Sequence, residues 1–302
     1  MPDSNKDVIV IGAGMAGMTA AKQLAKQGFS VLNIEAVLFG GLIININELD
    51  GELQGSGAEL ASNLMMEIGE LGVESVDGSV SAIAREGNLL KVTTDSATYL
   101  GRAVIVASGA RLKRLGIPGE ASLDGKGVAQ CADCDGPMYT EQTVAVVGGG
   151  DSALQEALVL AGYAGKVQLI HRGSKFSARP HLIDAVAARG NIVTVWNTVV
   201  DEIGGQDAVS ELRVRNVVDG KTSAIPCTGI FAYVGLEPNS GFLPAEAKRT
   251  TDGLVETDAS MQTGVPGVFA AGAVRSGYGG MLTHAISEAQ TAATSAAKML
   301  KG

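Results

Sequence analysis

Gly12-Ala13-Gly14-Met15-Ala16-Gly17 follows the apolar run Val8–Ile11 and opens a helical pattern, and the reading of this stretch decides the fold. G-x-G-x-x-G after a strand and before a helix is the spacing of a dinucleotide-binding turn. Its glycines have separate mechanical duties. Gly12 makes the tight turn, Gly14 lets the backbone approach a pyrophosphate, and Gly17 lets the helix pack on the strand. The helix N-terminus offers N–H groups and a positive dipole end to phosphates. Glu35, closing the next strand-type run, is placed to accept hydrogen bonds from a ribose 2′-OH. The rival reading, a glycine turn without a ligand, accounts poorly for strand, helix and acid standing in register.

The same plan occurs again. Val144–Val147 leads into Gly148-Gly149-Gly150-Asp151-Ser152-Ala153, then a helix to about Leu160 and a strand Val167–Ile170. Even the spacing repeats: Glu35 lies 23 residues after Gly12, and His171 lies 23 residues after Gly148. One fold type is used twice. At the second site His171-Arg172 replaces the acid, and a cation there attracts a 2′-phosphate that an acid would repel. This favours NADPH over NADH, with Arg172 as the main contact and Lys175 or Arg179 as helpers. Arg172 as a merely solvated strand-end residue is the alternative.

Between the two turns lies Cys131-Ala132-Asp133-Cys134-Asp135-Gly136. Two nucleotide sites with a dithiol between them predict a redox relay. At the ordinary thiol pKa only about 3% is thiolate at pH 7, so a working CxxC needs an acid–base neighbour. Asp135 is the candidate to shuttle that proton. A zinc site would need further ligands, and Cys227, His171, His181 and His284 fall in no paired metal spacing. Cys227 reads as a small buried apolar residue, and His284 as a hydrogen-bonded residue at a helix start or an additional base.

The remaining pattern extends both units. Runs at about Val76–Arg85, Leu89–Thr93 and Ala97–Leu100 predict an antiparallel meander, followed by a buried strand Ala103–Ala107. Runs at Ile192–Trp196, Val199–Ile203, Leu212–Val218 and Ala224–Pro226 predict a second meander, followed by Gly229–Val234. Met281–Leu300 reads as a closing helix. Gly- and Pro-bearing links at 110–119 and 235–244 bracket an insertion. The expected fold is therefore α/β, with two Rossmann-like, three-layer ββα nucleotide-binding domains, the second inserted into the first. The first takes residues 1–113 and 242–302, and the second, carrying the CxxC, takes 114–241. A length of 302 residues allows both to bury a core. A net charge of −9 with no basic stripe argues against nucleic acid. No apolar run is long enough to span a bilayer, and the polar start Met1–Lys6 reads as no secretory signal, so the expected location is cytoplasmic.

As a set, Gly127–Gly136, Val144–Ala153 and Gly267-Val268-Phe269-Ala270-Ala271-Gly272 resemble the low-molecular-weight thioredoxin reductases of the pyridine nucleotide–disulfide oxidoreductase group. The resemblance covers nearly the whole chain. It implies FAD at the first site, at Gly12, Gly14, Gly17, Glu35, Gly40, Gly41, Gly109, Gly272, Ala273 and Met281. It implies NAD(P)H at the second, at Gly148, Gly150, Asp151, Ser152, Ala153, His171 and Arg172. It also implies that Cys134 lies against the flavin as the charge-transfer thiolate, that Cys131 attacks the substrate disulfide with Asp135 as general acid, and that the protein is a homodimer. Several positions depart from the family. Gly173 and Ser177 stand where it carries arginines, Ala273 where it has a flavin-binding Asp, Gly279-Gly280-Met281 for Arg-Gln-Ala, and Gly51 with its neighbours for Asn-Phe-Pro-Gly. Loss of a charged hydrogen bond costs about 1.5–3 kcal/mol, which weakens FAD retention without abolishing it.

The expected function is FAD-dependent thiol–disulfide exchange, with electrons passing from NAD(P)H through FAD to Cys131–Cys134 and on to a protein disulfide such as thioredoxin. Three alternatives stand beside it. They are a dithiol oxidase that uses oxygen and takes electrons from a small dithiol, a ferredoxin-linked variant, and a non-catalytic redox sensor.

Overall fold

The computed structural model describes residues 5–46, 49 and 53–302. The departure noted around Gly51 lies outside the described residues, as do the first four residues of the polar start. The chain divides into two compact units, Met1–Arg111 with Glu237–Gly302, and Leu112–Leu236.

In the first unit, β1 (Lys6–Ile11), α1 (Met15–Lys26), β2 (Val31–Glu35), α2 (Gly57–Glu70) and β3 (Glu74–Asp77) are followed by β4 (Val80–Glu86), β5 (Leu89–Thr94) and β6 (Thr98–Val106). β1 pairs in parallel with β2 on one side and with the second half of β6 on the other, while the first half of β6 runs antiparallel to β5. One long strand thus belongs to both the nucleotide sheet and the meander. Because strand side chains alternate between faces, Val8, Val10, Val31 and Ile105 meet the helices. Ile9, Ile11, Leu32, Ile34 and Val104 meet Ile83, Leu90 and Val92 of the meander. This yields three layers: helices, parallel sheet, meander.

The chain leaves this unit through β7 (Ala110–Leu112). The second unit contains β8 (Val128–Ala129), α3 (Ala132–Asp135), β9 (Thr143–Gly148), α4 (Asp151–Leu160), β10 (Lys166–Ile170), α5 (Pro180–Ala187) and β11 (Ile192–Val195). It continues with β12 (Thr198–Gly205), β13 (Val209–Asn216), β14 (Thr222–Pro226) and β15 (Gly229–Tyr233). Its parallel sheet has the order β11-β10-β9-β15-β8, and β12-β13-β14 form its meander. The layering repeats: Val144, Val146 and Leu169 pack with the helices, and Ala145, Val147 and Ile170 pack on Val200, Ile203 and Leu212. β16 (Leu236–Pro238) returns the chain to the first unit, which ends with β17 (Val268–Ala270) and α6 (Leu282–Lys301). Arg111 and Glu237, the first unit's residues at departure and return, pair at 2.8 Å.

The run expected at 76–85 is two strands. It breaks at Gly78, whose N–H donates to Glu35 O at 2.8 Å, so β3 joins β2 in parallel and only β4 enters the meander. Among the described residues, no helix is long and apolar enough to cross a membrane.

α6 approaches α1 through a face of small residues, with Ala289, Ala292, Ala293 and Ala296 fully buried. Ala293→Leu should overfill this contact. Urea unfolding is expected to report a loss of about 1–3 kcal/mol with an unchanged m-value.

Candidate functional site

In the first turn, Gly12 has φ +104 and donates its N–H to Ile34 O at 2.7 Å. A Cβ on Gly12 would strike the carbonyl oxygen of Ala107, and one on Gly17 would strike the carbonyl oxygen of Gly12. Both glycines are therefore demanded by the protein's own packing. Gly14 is different, since a Cβ there would meet nothing closer than Gly40 O at 3.8 Å. The second glycine is spared for what approaches from outside, as a pyrophosphate cradle requires. α1 starts at this point with no side-chain cap and no acid in its first turn, which leaves backbone donors for a phosphate.

Glu35 ends β2 beside the turn. Its carboxylate accepts from the N–H groups of Ala13 at 2.6 Å, Ala36 at 2.8 Å and Val37 at 3.1 Å. Gly40 donates its N–H to Ala13 O at 2.7 Å, and a Cβ on Gly41 would lie 3.7 Å from Gly14 Cα. A Cβ on Gly272 would lie 3.0 Å from Ala16 Cβ at the start of α1. Gly109 follows the Ala107-Ser108 stretch against which Gly12 packs, and Asn239 N–H donates to its carbonyl at 3.0 Å. These positions converge on one turn. Ala273 directly follows Gly272, whereas Met281 is an exposed residue at the head of α6. The residues fit a dinucleotide, since the space at the Gly14 Cβ position is open and the helix start has no side-chain cap.

Two supports of this site escape a motif reading. Asn33 interrupts an apolar strand, is almost wholly buried, and donates its amide to Gly12 O at 3.0 Å and Val10 O at 3.2 Å. Glu288, on the alanine face of α6, accepts from the N–H of Gly272 at 2.9 Å and pairs with Arg275. The signal for each was a polar residue at an apolar position of the periodic pattern.

The second turn obeys the same rules. A Cβ on Gly148 would lie 2.5 Å from Tyr233 O and 2.6 Å from Ala153 Cβ, while one on Gly150 would meet only Ser177 Oγ at 3.9 Å. A cleft of about 550 Å³ opens here, lined by Gly148–Ala153, Arg172, Lys113 and Arg114 among others. His171 lines it too, with its ring seated over Gly149, packed against Phe176 and Trp196, and bonded through Nε2 to Lys175 O at 3.0 Å. The expected helpers are placed differently. Arg179 is bound to Asp151, Nε to Oδ2 at 2.6 Å and N–H to Oδ1 at 2.7 Å. Lys113 and Arg114 line the cleft with Arg172, and Arg114 is itself paired with Asp124 at 2.6 Å.

Cys131 and Cys134 form a disulfide with a Cα separation of 5.3 Å. The short α3 supplies this spacing, with Asp135 N–H donating to Cys131 O at 3.1 Å. Cys131 is half-buried and Cys134 exposed. Among the described residues, no group of three or more His, Cys, Asp or Glu is placed to hold a metal ion. Cys227 is buried, and that burial pushes its thiol up to about 12.

With this geometry established, similarity to known proteins extends over the whole chain. The pyridine nucleotide-disulphide oxidoreductase family pattern matches residues 6–296. A thioredoxin reductase of Treponema pallidum (strain Nichols) is 33% identical over 302 residues, covering 99% of this chain and 98% of that protein. One from Listeria innocua is 37% identical over 273 residues, covering 89% of this chain and 86% of that protein. The crystal structure of Lactococcus lactis thioredoxin reductase in its FR conformation superposes with a TM-score of 0.93 at 34% identity, over 98% of this chain and 99% of that one.

Two outcomes follow from the buried groups. Glu288→Ala strands the Arg275 guanidinium and should lower stability by about 3 kcal/mol in urea unfolding, with Glu288→Gln losing less. Native protein reduced with dithiothreitol at pH 8 should take up iodoacetamide at Cys131 and Cys134, and at Cys227 only after unfolding, as read by mass spectrometry.

Proposed function

The chain belongs to the pyridine nucleotide-disulphide oxidoreductase family and is a FAD-dependent thiol–disulfide oxidoreductase, and on that premise we propose that it carries electrons from NADPH to a thioredoxin-like protein. The observation that carries this reading is the Cys131–Cys134 disulfide held in the same unit as the second glycine turn. A dithiol and a nucleotide cleft on one unit are what a relay between nicotinamide and a protein disulfide needs.

In this reading the first unit holds FAD at Gly12, Gly14, Gly17, Glu35, Gly40, Gly41, Gly109 and Gly272, with Ala273 and Met281 at the family's ribityl and ring positions. When bound, FAD supplies two-electron exchange between a nicotinamide and a disulfide. The turn and the head of α1 bind its phosphates, and Asn33 and Glu288 keep Gly12 and Gly272 in place. The second unit holds NADPH at Gly148, Gly150, Asp151, Ser152, Ala153, His171 and Arg172. Arg172, beside the strand-end position that Glu35 fills in the first unit, pairs with the 2′-phosphate.

Exchange with the partner belongs to three residues. Cys131 thiolate attacks one sulfur of the partner disulfide, and the released thiolate takes its proton from Asp135. Cys134 then gives up its proton and attacks Cys131 Sγ in the mixed disulfide, and the partner's second sulfur leaves, takes up that proton and becomes a thiol as Cys131–Cys134 closes. Cys134 would be the sulfur that exchanges electrons with FAD when the cofactor is bound. The protein works as a cytoplasmic homodimer, a reading that rests on the family.

Arg172→Ala should raise the KM for NADPH about tenfold or more, the loss of one charged hydrogen bond, and leave that for NADH nearly unchanged. Equal effects on both would remove the 2′-phosphate contact. Cys134→Ser should retain the flavin, judged by its absorbance, and lose disulfide reduction.

A further inference from the structure

The second unit holds a half-buried carboxylate that no step above uses. Glu156 projects from α4 beneath the dithiol, and its Oε2 accepts from the N–H of Ala132, the residue after Cys131, at 3.1 Å. The hydroxyl of Tyr233, at the end of β15, shares its one proton between two acceptors, the carbonyl oxygen of Gln130, the residue before Cys131, at 3.0 Å and that same Glu156 oxygen at 3.2 Å. A tyrosine and a glutamate thus hold the peptide groups on both sides of one sulfur-bearing residue. Ala132 is wholly buried and Tyr233 nearly so, which makes the grip stiff. Tyr233 also lines the nucleotide cleft, and its backbone pairs with Gly148, so cleft and dithiol share this residue.

We propose that Glu156 and Tyr233 are positioning residues of the dithiol, fixing the backbone around Cys131, and that the Glu156 carboxylate opposes ionisation of the Cys131 thiol. A negative charge bonded to the peptide next to a thiol disfavours a second negative charge on the sulfur. The N–H of Ala132 donates to the carboxylate and favours its charged form. Burial raises the Glu156 pKa, and Asp133 from α3 adds a like charge, while the bonds from Ala132 and Tyr233 act the other way. The carboxylate therefore pushes reduced Cys131 towards its thiol form, against the N–H of Cys134, which donates to its sulfur at 3.2 Å and favours the thiolate. Asp135 would deal with protons only during exchange.

This inference rests on Cys131–Cys134 being the working dithiol, but its test uses neither nicotinamide nor a protein partner. An error in donor or substrate would leave the outcome untouched. The holoenzyme, reduced with dithiothreitol, is labelled with iodoacetamide across a pH series, and modification of Cys131 is followed by mass spectrometry. Glu156→Gln keeps an acceptor for Ala132 and removes the charge. Its labelling midpoint should fall by about one pH unit, which is about tenfold more thiolate at pH 7. Tyr233→Phe removes a donor from the carboxylate and should move the midpoint the other way, by roughly a few tenths of a unit. A purely structural role would lower the melting temperature without these opposed shifts. An unchanged or raised midpoint in folded Glu156→Gln overturns the proposal. If that variant fails to fold, an unchanged midpoint in Tyr233→Phe overturns it.

Discussion

The chain must pass from strand to helix through a space too small for a side chain, and it does so twice. In the first unit the carbonyl oxygen of Gly12 sits where a Cβ of Gly17 would be. In the second, Ala153 Cβ and Tyr233 O crowd Gly148. This close approach seats α1 and α4 on their sheets and points their uncapped first turns at the strand ends. Everything a dinucleotide would touch follows from it: the open faces of Gly14 and Gly150, the strand-end residues Glu35 and His171, and the direction of the helix dipoles. A side chain at Gly17 would displace the helix and the phosphate donors with it.

Buried and half-buried polar groups then fix what the packing leaves free. Asn33 holds Gly12, Glu288 holds Gly272, and Glu156 holds Ala132. Each lies on an element whose neighbours are apolar, and each bonds the backbone of a functional loop instead of a ligand. Such bonds are costly to leave unmade. They give the loops a single conformation without occupying the surface that a cofactor or substrate must reach. Chemistry is carried on loops, and the loops are held from behind.

Much of this was legible in the sequence because the motifs carry their own geometry. The paired glycine turns, their equal spacing to Glu35 and His171, the two meanders and the closing helix all follow from periodicity and turn chemistry. Other parts depended on long-range contacts. α2 is absent from the sequence expectation, although Ser56 and Glu59 form a capping box that marks its start. The run at 76–85 looked continuous, because only the bond from Gly78 to Glu35 separates its two strands. Charge alone makes Arg179 a possible helper to Arg172, and no sequence pattern shows that Asp151, 28 residues earlier, binds its side chain. Likewise Lys113 and Arg114 reach the cleft from a link between units of sequence pattern, where no periodicity points to them.

The account centres on electrons moving from a reduced nicotinamide to Cys131–Cys134. An anaerobic titration of the purified flavoprotein, with NADPH and NADH in turn and then with a small dithiol, tests this most directly. Flavin absorbance is followed alongside the count of free thiols. The account predicts that NADPH bleaches the flavin and that two new thiols appear, mapped to Cys131 and Cys134. A flavin reduced by the dithiol but by neither nucleotide would contradict it, because electrons would then be flowing the opposite way.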